Sequence, residues 1–364
     1  MTRNLIDLSI LTKREFLELY QLTEKIIDRP EEFASACKGK ILGSLFYEPS
    51  TRTNLSFSTA MMRLGGSVIG FSDPRSSSVA KGESLKDTIR MISSYADIIV
   101  MRNPNEGAAK AASLYSSVPF INAGDGGHLH PTQTLTDMVT IHRLRGGADH
   151  MKIGICGDLK YGRTVHSLIK FLAKYEDVQF YLISPRELAI PEYIRDFMKR
   201  NRMKFFEVTA MESVIPMLDV LYMTRIQRER FSSPAAYESL RGIYCLTPSK
   251  MKKAKKDMLV MHPLPRVDEI DQEVDSDPRA VYFDQARYGM YARMALLLTL
   301  SREGYQKAEP VAKGIKYRRC VNPRCIKQTE PYLPTYTKMT DAGECCAYCD
   351  KQTEFYIPDE AEPV

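Results

Sequence analysis

A chain of 364 residues with 44% hydrophobic and 26% charged residues is too apolar to stay disordered and too long for one core, so two or three domains are expected. No apolar run reaches the length of a membrane span and no signal-peptide core follows Met1, which points to the cytoplasm. The net charge of +6 does not call for a nucleic-acid partner, because Lys250, Lys252, Lys253, Lys255 and Lys256 form one run that reads as a solvated helix face.

In chain order, Thr12-Lys-Arg-Glu15 is a capping box opening a helix with Phe16, Tyr20 and Ile27. A strand at 41–46 follows and stops at Pro49. Leu55, Met61, Met62 and Leu64 then repeat with helical spacing until Gly65-Gly66. Between strand and helix lies Ser50-Thr51-Arg52-Thr53. The first N–H groups of a helix lack intrahelical partners and its dipole favours negative charge, so this turn suits a phosphate. An ordinary N-cap serine is the plainer alternative, but a guanidinium among three hydroxyls favours the anion.

A strand at 67–71 leads into a polar segment, 72–83, with almost no apolar anchor, expected to be mobile unless held. It carries Ser77, Ser78 and Lys81. Leu85, Ile89 and Ile92 mark a helix, 97–101 a strand, and Arg102 stands just past its end, where open α/β sheets bind ligands. A further helix and a strand at 119–122 reach the glycine-rich 123–127, then His130 and Gln133 before a helix at 134–145. A lone histidine is usually structural. This one sits between a glycine turn and a helix, on the side of Arg102, which favours a functional role.

A second alternation starts at Met151, with strands at 151–156, 178–183, 204–208, 219–223 and 258–261. The loop 157–162 lacks GxGxxG, so no dinucleotide site is read, and a helix starts at Arg163. A polar loop follows with Arg225, Gln227, Arg228 and Arg230. The last strand ends in His262-Pro263-Leu264-Pro265, and a helix at 285–302 should return to the first domain. The fold class is α/β: two doubly wound parallel-sheet domains, 1–131 completed by 285–303, and 132–284. A polar linker at 304–319, a small zinc-ribbon-like module at 320–357 and a tail at 358–364 follow.

Of eight cysteines, Cys37, Cys156 and Cys245 are scattered and read as buried thiols. The rest cluster as Cys320-x4-Cys325 and Cys346-x2-Cys349, with Cys345 adjoining. Two close pairs fit a tetrahedral zinc site, whereas a redox Cys-x2-Cys would not need the first pair. The two-residue gap to Cys349 favours Cys346 over Cys345. So small a module cannot hold together by its core alone, and the metal would be its fold.

These stretches, PSTRT, SSVAKGESLKDT, AGDGGHLHPTQT, GDLKYGRTVHS, MTRIQRER and HPLPRVDEI, together resemble the aspartate carbamoyltransferase catalytic chain, in order and at similar spacing over about 1–305. PSTRT alone would mark only the wider transcarbamoylase family. The resemblance implies transfer of the carbamoyl group of carbamoyl phosphate to L-aspartate, giving N-carbamoyl-L-aspartate and phosphate, in de novo pyrimidine biosynthesis and without a catalytic cofactor. It implies that Ser50, Thr51, Arg52, Thr53, Ser77 and Arg102 hold the phosphate. Thr53, Arg102 and His130 donate to the carbonyl oxygen, and Gln133 with the carbonyls of Pro263 and Leu264 accepts from the carbamoyl NH2. Lys81, Arg163, Arg225 and Gln227 read aspartate. Lys81 and Ser77 reach into a neighbouring subunit's site, implying a homotrimer.

Pro263 and Arg225 argue against an ornithine-type relative, which would show a cysteine in HPLP and acidic residues. No general base is evident, since a His130 that donates to the carbonyl cannot readily take the amine proton, and the leaving phosphate is the other candidate. The cysteine segment, including NPRCIKQTEP, is similar to the zinc domain of the bacterial regulatory chain, whose nucleotide-binding domain has no counterpart here. A module that bridges or braces trimers is the expectation. The rival of another class is a non-catalytic subunit whose zinc module binds a protein or nucleic acid.

Overall fold

The structure is a computed structural model that describes residues 4–226, 237–238, 242–302, 318–340 and 343–355. It divides into two compact units: Met1–Asp7, Lys25–Pro131 and Arg293–Val364 form the first, Leu8–Glu24 and Thr132–Ala292 the second.

Helix α1 (Lys13–Asp28) opens on the capping box read from the sequence: Thr12 N donates to Glu15 Oε2 at 2.8 Å and Glu15 N to Thr12 Oγ1 at 3.1 Å. Most of this helix belongs to the second unit, because Phe16 is fully buried there in edge contacts with His142 and Phe171.

In the first unit, β1 (Ile41–Phe46), β2 (Ser67–Phe71), β3 (Ile98–Asn103) and β4 (Phe120–Asp125) form a parallel sheet in the order β2-β1-β3-β4. Ile98 through Met101 are buried, as expected of a strand covered on both faces. Strand β3 runs on through Arg102, which pairs with Phe46 of β1, to Asn103, so Arg102 is the strand's penultimate residue rather than a residue beyond it. Helices α2 (Thr51–Arg63), α3 (Leu85–Ser93) and α4 (Ala108–Ser113) complete the alternation. The polar segment 72–83 is built as two 3-10 turns, Pro74–Ser76 and Ser78–Lys81, capped by Asp73 and Ser77. Local hydrogen bonds organise it in place of an apolar anchor.

In the second unit, α5 (Pro131–Arg145) is followed by β5 (Lys152–Cys156), α6 (Arg163–Leu172), β6 (Gln179–Ile183), α7 (Glu192–Arg200), β7 (Lys204–Val208), β8 (Val220–Met223) and β9 (Leu259–Met261). The five strands are parallel in the order β7-β6-β5-β8-β9. Ile183, Leu218, Leu221, Met223 and Val260 share the core beneath them. The helix Tyr282–Arg302 belongs to the second unit through Ala292 and to the first from Arg293, whose guanidinium lies 5.1 Å over Phe57.

The cysteine module belongs to the first unit. It consists of two antiparallel pairs, β10 (Arg318–Cys320) with β13 (Thr353–Phe355) and β11 (Thr337–Thr340) with β12 (Gly343–Cys346). Ile326, Leu333 and Tyr348 are buried in one cluster with Leu85, Ile89, Ala108 and Ala112 of the sheet domain, each large side chain contributing roughly 1.5–3 kcal/mol.

Candidate active site and metal centre

In the first unit the carboxyl ends of the parallel strands collect the predicted residues on one edge. Strand β1 delivers the turn to α2, where Ser50 makes no side-chain cap although its carbonyl accepts from Asn54 N at 3.0 Å. Ser50 is thus the N-cap residue by position, but its hydroxyl caps no N–H of the helix. Thr51 and Arg52 are exposed and Thr53 half-buried in the helix's first turn.

Strand β3 delivers Arg102. Its Nε donates to Glu48 Oε1 at 2.7 Å and its Nη1 lies 3.2 Å from Nε2 of the buried His130. A guanidinium can only donate, so the ring nitrogen accepts and the imidazole proton sits on Nδ1. Between them passes Gly124, at φ +125, where an added Cβ would stand 3.5 Å from both Arg102 Nη1 and His130 Cδ2. The loop after β4 is tied by Asp125, which accepts from Leu129 N at 3.1 Å, Asn122 Nδ2 at 3.1 Å and Gly107 N at 2.9 Å. Ser77 Oγ accepts from Val79 N, and Lys81 ends the same segment exposed.

In the second unit Gln133 Nε2 donates to Asp137 Oδ1 at 2.8 Å. Gln285 Nε2 donates to that oxygen at 2.7 Å and Tyr222 OH to Oδ2 at 3.0 Å. With its nitrogen engaged, Gln133 presents a carbonyl oxygen, which is an acceptor. Sequence reasoning missed Asp137, Tyr222 and Gln285. The available signal was an aspartate in the middle of a helix, a charge that needs partners once it is buried.

Arg163 begins α6 after β5, and Arg225 follows β8, the strand beside β5. Thr224 joins the two strand ends: its Oγ1 donates to Cys156 O at 3.0 Å and accepts from Asp158 N at 3.1 Å. After β9, Leu264 adopts φ +53 before a cis peptide to Pro265. Its N–H donates to His262 Nδ1 at 2.7 Å, and His262 Nε2 donates to Glu269 Oε1 at 2.6 Å. Burial is the largest influence and works against the Glu269 charge, but His262 and the backbone N–H groups of the loop together outweigh it and hold the carboxyl below the usual range. Gln227, like Arg228 and Arg230, lies outside the described residues.

The sulfurs of Cys320, Cys325, Cys346 and Cys349 lie within 4.8 Å of one another, all buried. Cys320 and Cys349 are 3.5 Å apart, Cys325 and Cys346 3.9 Å. These spacings bracket the edge of about 3.8 Å that a tetrahedron with metal–sulfur bonds near 2.3 Å requires, so the donor set fits a metal ion. Mutual hydrogen bonding within the cluster holds the Cys346 and Cys349 thiols below the ordinary range and Cys320 and Cys325 above it, so the four sulfurs share their protons rather than titrating singly. Cys345 lies apart from the cluster, its sulfur 3.3 Å from Thr340 Oγ1. Among the described residues no helix is long and apolar enough to cross a membrane.

Residues 3–143 match the aspartate/ornithine carbamoyltransferase carbamoyl-P binding domain, and residues 149–300 match the Asp/Orn binding domain of the same family. The aspartate carbamoyltransferase catalytic subunit of Clostridium botulinum is 61% identical over 82% of this chain and 97% of its own length. That of Clostridium perfringens is 58% identical over 83% and 98%. Among solved structures, the catalytic subunit of M. jannaschii aspartate transcarbamoylase is 51% identical with a TM-score of 0.78, covering 82% of this chain and 98% of that one. The Trypanosoma cruzi aspartate transcarbamoylase in complex with carbamoyl phosphate and aspartate is 39% identical with a TM-score of 0.77, over 81% and 96%. Neither domain match extends past residue 300, so the cysteine module lies outside both.

Proposed function

This chain belongs to the aspartate/ornithine carbamoyltransferase family, and from that premise we propose how its own side chains carry the carbamoyl group of carbamoyl phosphate to the amine of L-aspartate. The activity is that of an aspartate carbamoyltransferase. The observation that carries the assignment of roles is the Arg102–His130 contact on the carboxyl edge of the sheet that also bears the first turn of α2.

Ser50, Thr51, Arg52 and Thr53 cradle the phosphate as leaving group, joined by Arg102 and Ser77. As the amine attacks, charge grows on the carbonyl oxygen, and Thr53, Arg102 and His130 donate to it, a role of oxyanion-hole type. His130 would then turn a protonated nitrogen toward that oxygen, and the same nitrogen cannot also take the amine proton. We assign that proton to the departing phosphate. Gln133 and the carbonyls of Pro263 and Leu264 accept from the carbamoyl NH2. The Asp137 hydrogen bond supports this by fixing which end of the Gln133 amide is the acceptor. Arg163, Arg225 and Gln227 read the aspartate carboxylates, since a planar guanidinium suits bidentate recognition. Lys81 completes a neighbouring subunit's site within a homotrimer.

The product is a precursor of the pyrimidine ring, and the enzyme works in the cytoplasm. Zinc is the ion the four cysteines would take, as a structural centre. No step of the transfer passes through it. A ureido-product assay comparing aspartate with ornithine tests the reading: product from aspartate alone is expected, lost in R225A through a raised KM for aspartate. Equal turnover of ornithine would overturn the substrate assignment.

A further inference from the structure

The cysteine module touches the sheet domain at two places that lead to residues assigned to the chemistry. The first is the N-terminus of α3. Leu85 N donates to Glu330 Oε1 at 3.1 Å and Lys86 N to Tyr332 OH at 2.9 Å, while Asp87 N donates to the cap residue Ser84 at 3.1 Å. Two of the first three orphan donors of this helix are thus met by the module, one by a carboxylate that the helix dipole favours. Helix α3 directly follows the segment with Ser77 and Lys81, which is organised mainly by the local caps of Asp73 and Ser77.

The second place is the loop before His130. His128 Nε2 lies 3.2 Å from Asp350 Oδ2 of the module, and its Nδ1 lies 3.0 Å from Asp125 Oδ2. Asp125 in turn accepts from Leu129 N, the residue before His130. Burial opposes charge on His128, but the Asp125 and Asp350 carboxylates outweigh it and raise the ring to about 10. The approach is close. Gly107 sits at φ +83 beneath the module, where a Cβ would come within 2.5 Å of the Tyr348 carbonyl carbon.

Each arm also adjoins a sulfur ligand. Glu330 follows the single helical turn Ile326–Thr329 that starts after Cys325, and Asp350 follows Cys349, its N–H bonded to Cys346 O at 3.0 Å. The metal-holding fold therefore sets where both arms stand.

We propose that the cysteine module is a positioning brace for the transfer site, with Glu330 and Tyr332 anchoring the segment of Ser77 and Lys81 and Asp350 anchoring, through His128, the loop that ends in His130. This rests on the roles assigned under Proposed function. None of the three arm residues is among those assigned to substrate, so their effects travel through backbone position.

The test uses the full-length enzyme with E330A/Y332F and D350N, and reads metal content, peptide hydrogen exchange and steady-state constants. E330A/Y332F should keep its metal, exchange faster over 73–88 and lose kcat by about five-fold, one weakened anchor in free energy. D350N should exchange faster over 122–130 and raise KM for carbamoyl phosphate by about five-fold with the aspartate KM unchanged. H128N, altered outside the module, probes the same contact if D350N loses metal. Wild-type exchange patterns and constants within two-fold in these variants would overturn the brace. A wild-type enzyme that makes no carbamoyl aspartate would instead overturn the reading beneath it.

Discussion

In β3 of the first sheet, Ile98, Ile99, Val100 and Met101 are buried in succession, and each is an apolar side chain that gains stability by leaving water. In the cysteine module the corresponding run is Cys345 through Cys349, equally buried, but three of its five side chains are thiols and one is alanine. The same exposure pattern thus has two energetic origins. The sheet domain spreads its stability over many contacts, so damage there is graded. The module adds to a few apolar contacts with the sheet domain a set of four sulfurs that could hold one metal ion, so with a metal bound, damage to a sulfur there should be far steeper.

The sharpest break in that contrast is C325S. A structural tetrathiolate site contributes on the order of 10 kcal/mol, so this variant should lose its bound metal and the module's order together. Metal content per chain and hydrogen exchange over 318–355 would show it, while the sheet domains keep their thermal transition. A variant that retains stoichiometric metal would refute the four-sulfur assignment.

The second unit offers an intermediate case in His142, buried against Phe16, Tyr20 and Tyr175 with Nε2 2.9 Å from Tyr175 OH. Burial pushes its imidazole down to about 4. The unfolded chain therefore binds a proton below about 6.5 that the folded unit refuses until about 4. Stability is fully present above 6.5 and falls as pH drops through that window, by on the order of 3 kcal/mol. Urea unfolding at pH 7 and pH 4.5 should show the loss, and H142Q should flatten the slope.

R52A tests function without the core. Losing one charge-assisted anchor costs about 1.5–3 kcal/mol, so kcat/KM for carbamoyl phosphate should fall by about ten- to a hundred-fold with melting unchanged. A comparable fall in melting temperature would mean that Arg52 is structural. The smallest effect belongs to I99V, a single methylene in the buried strand, at about 0.5–1.5 kcal/mol. Calorimetry should find the cost in the sheet transition, with the metal retained.

How much of this was legible in the sequence follows the same division. Strands announce themselves as apolar runs, and their carboxyl ends locate Arg102, Arg163, Arg225 and His262 without any knowledge of contacts. The cysteine pairs were legible because ligand spacing is local, and the cluster holds Cys346 rather than Cys345. What escaped were pairings over long separations. Asp137 meets Tyr222 across 85 residues and Gln285 across 148, and Glu106 meets Asn322 across 216. A sequence records which side chains need partners but not where the fold will bring them. The two arms of the module were invisible for that reason, since Glu330 meets Leu85 across 245 residues and Asp350 meets His128 across 222.

One of those long pairings bears on how the molecule is made. Glu106 N donates to Arg324 O at 2.8 Å and Ile326 N to Glu106 O at 3.0 Å, so the backbone on both sides of the ligand Cys325 is hydrogen-bonded to the sheet domain. A chain leaves the ribosome N-terminus first, and domains fold as units in that order. The sheet strands that receive Cys325 are therefore synthesised before any of the four clustered cysteines, so a metal bound there would be captured against a surface already made.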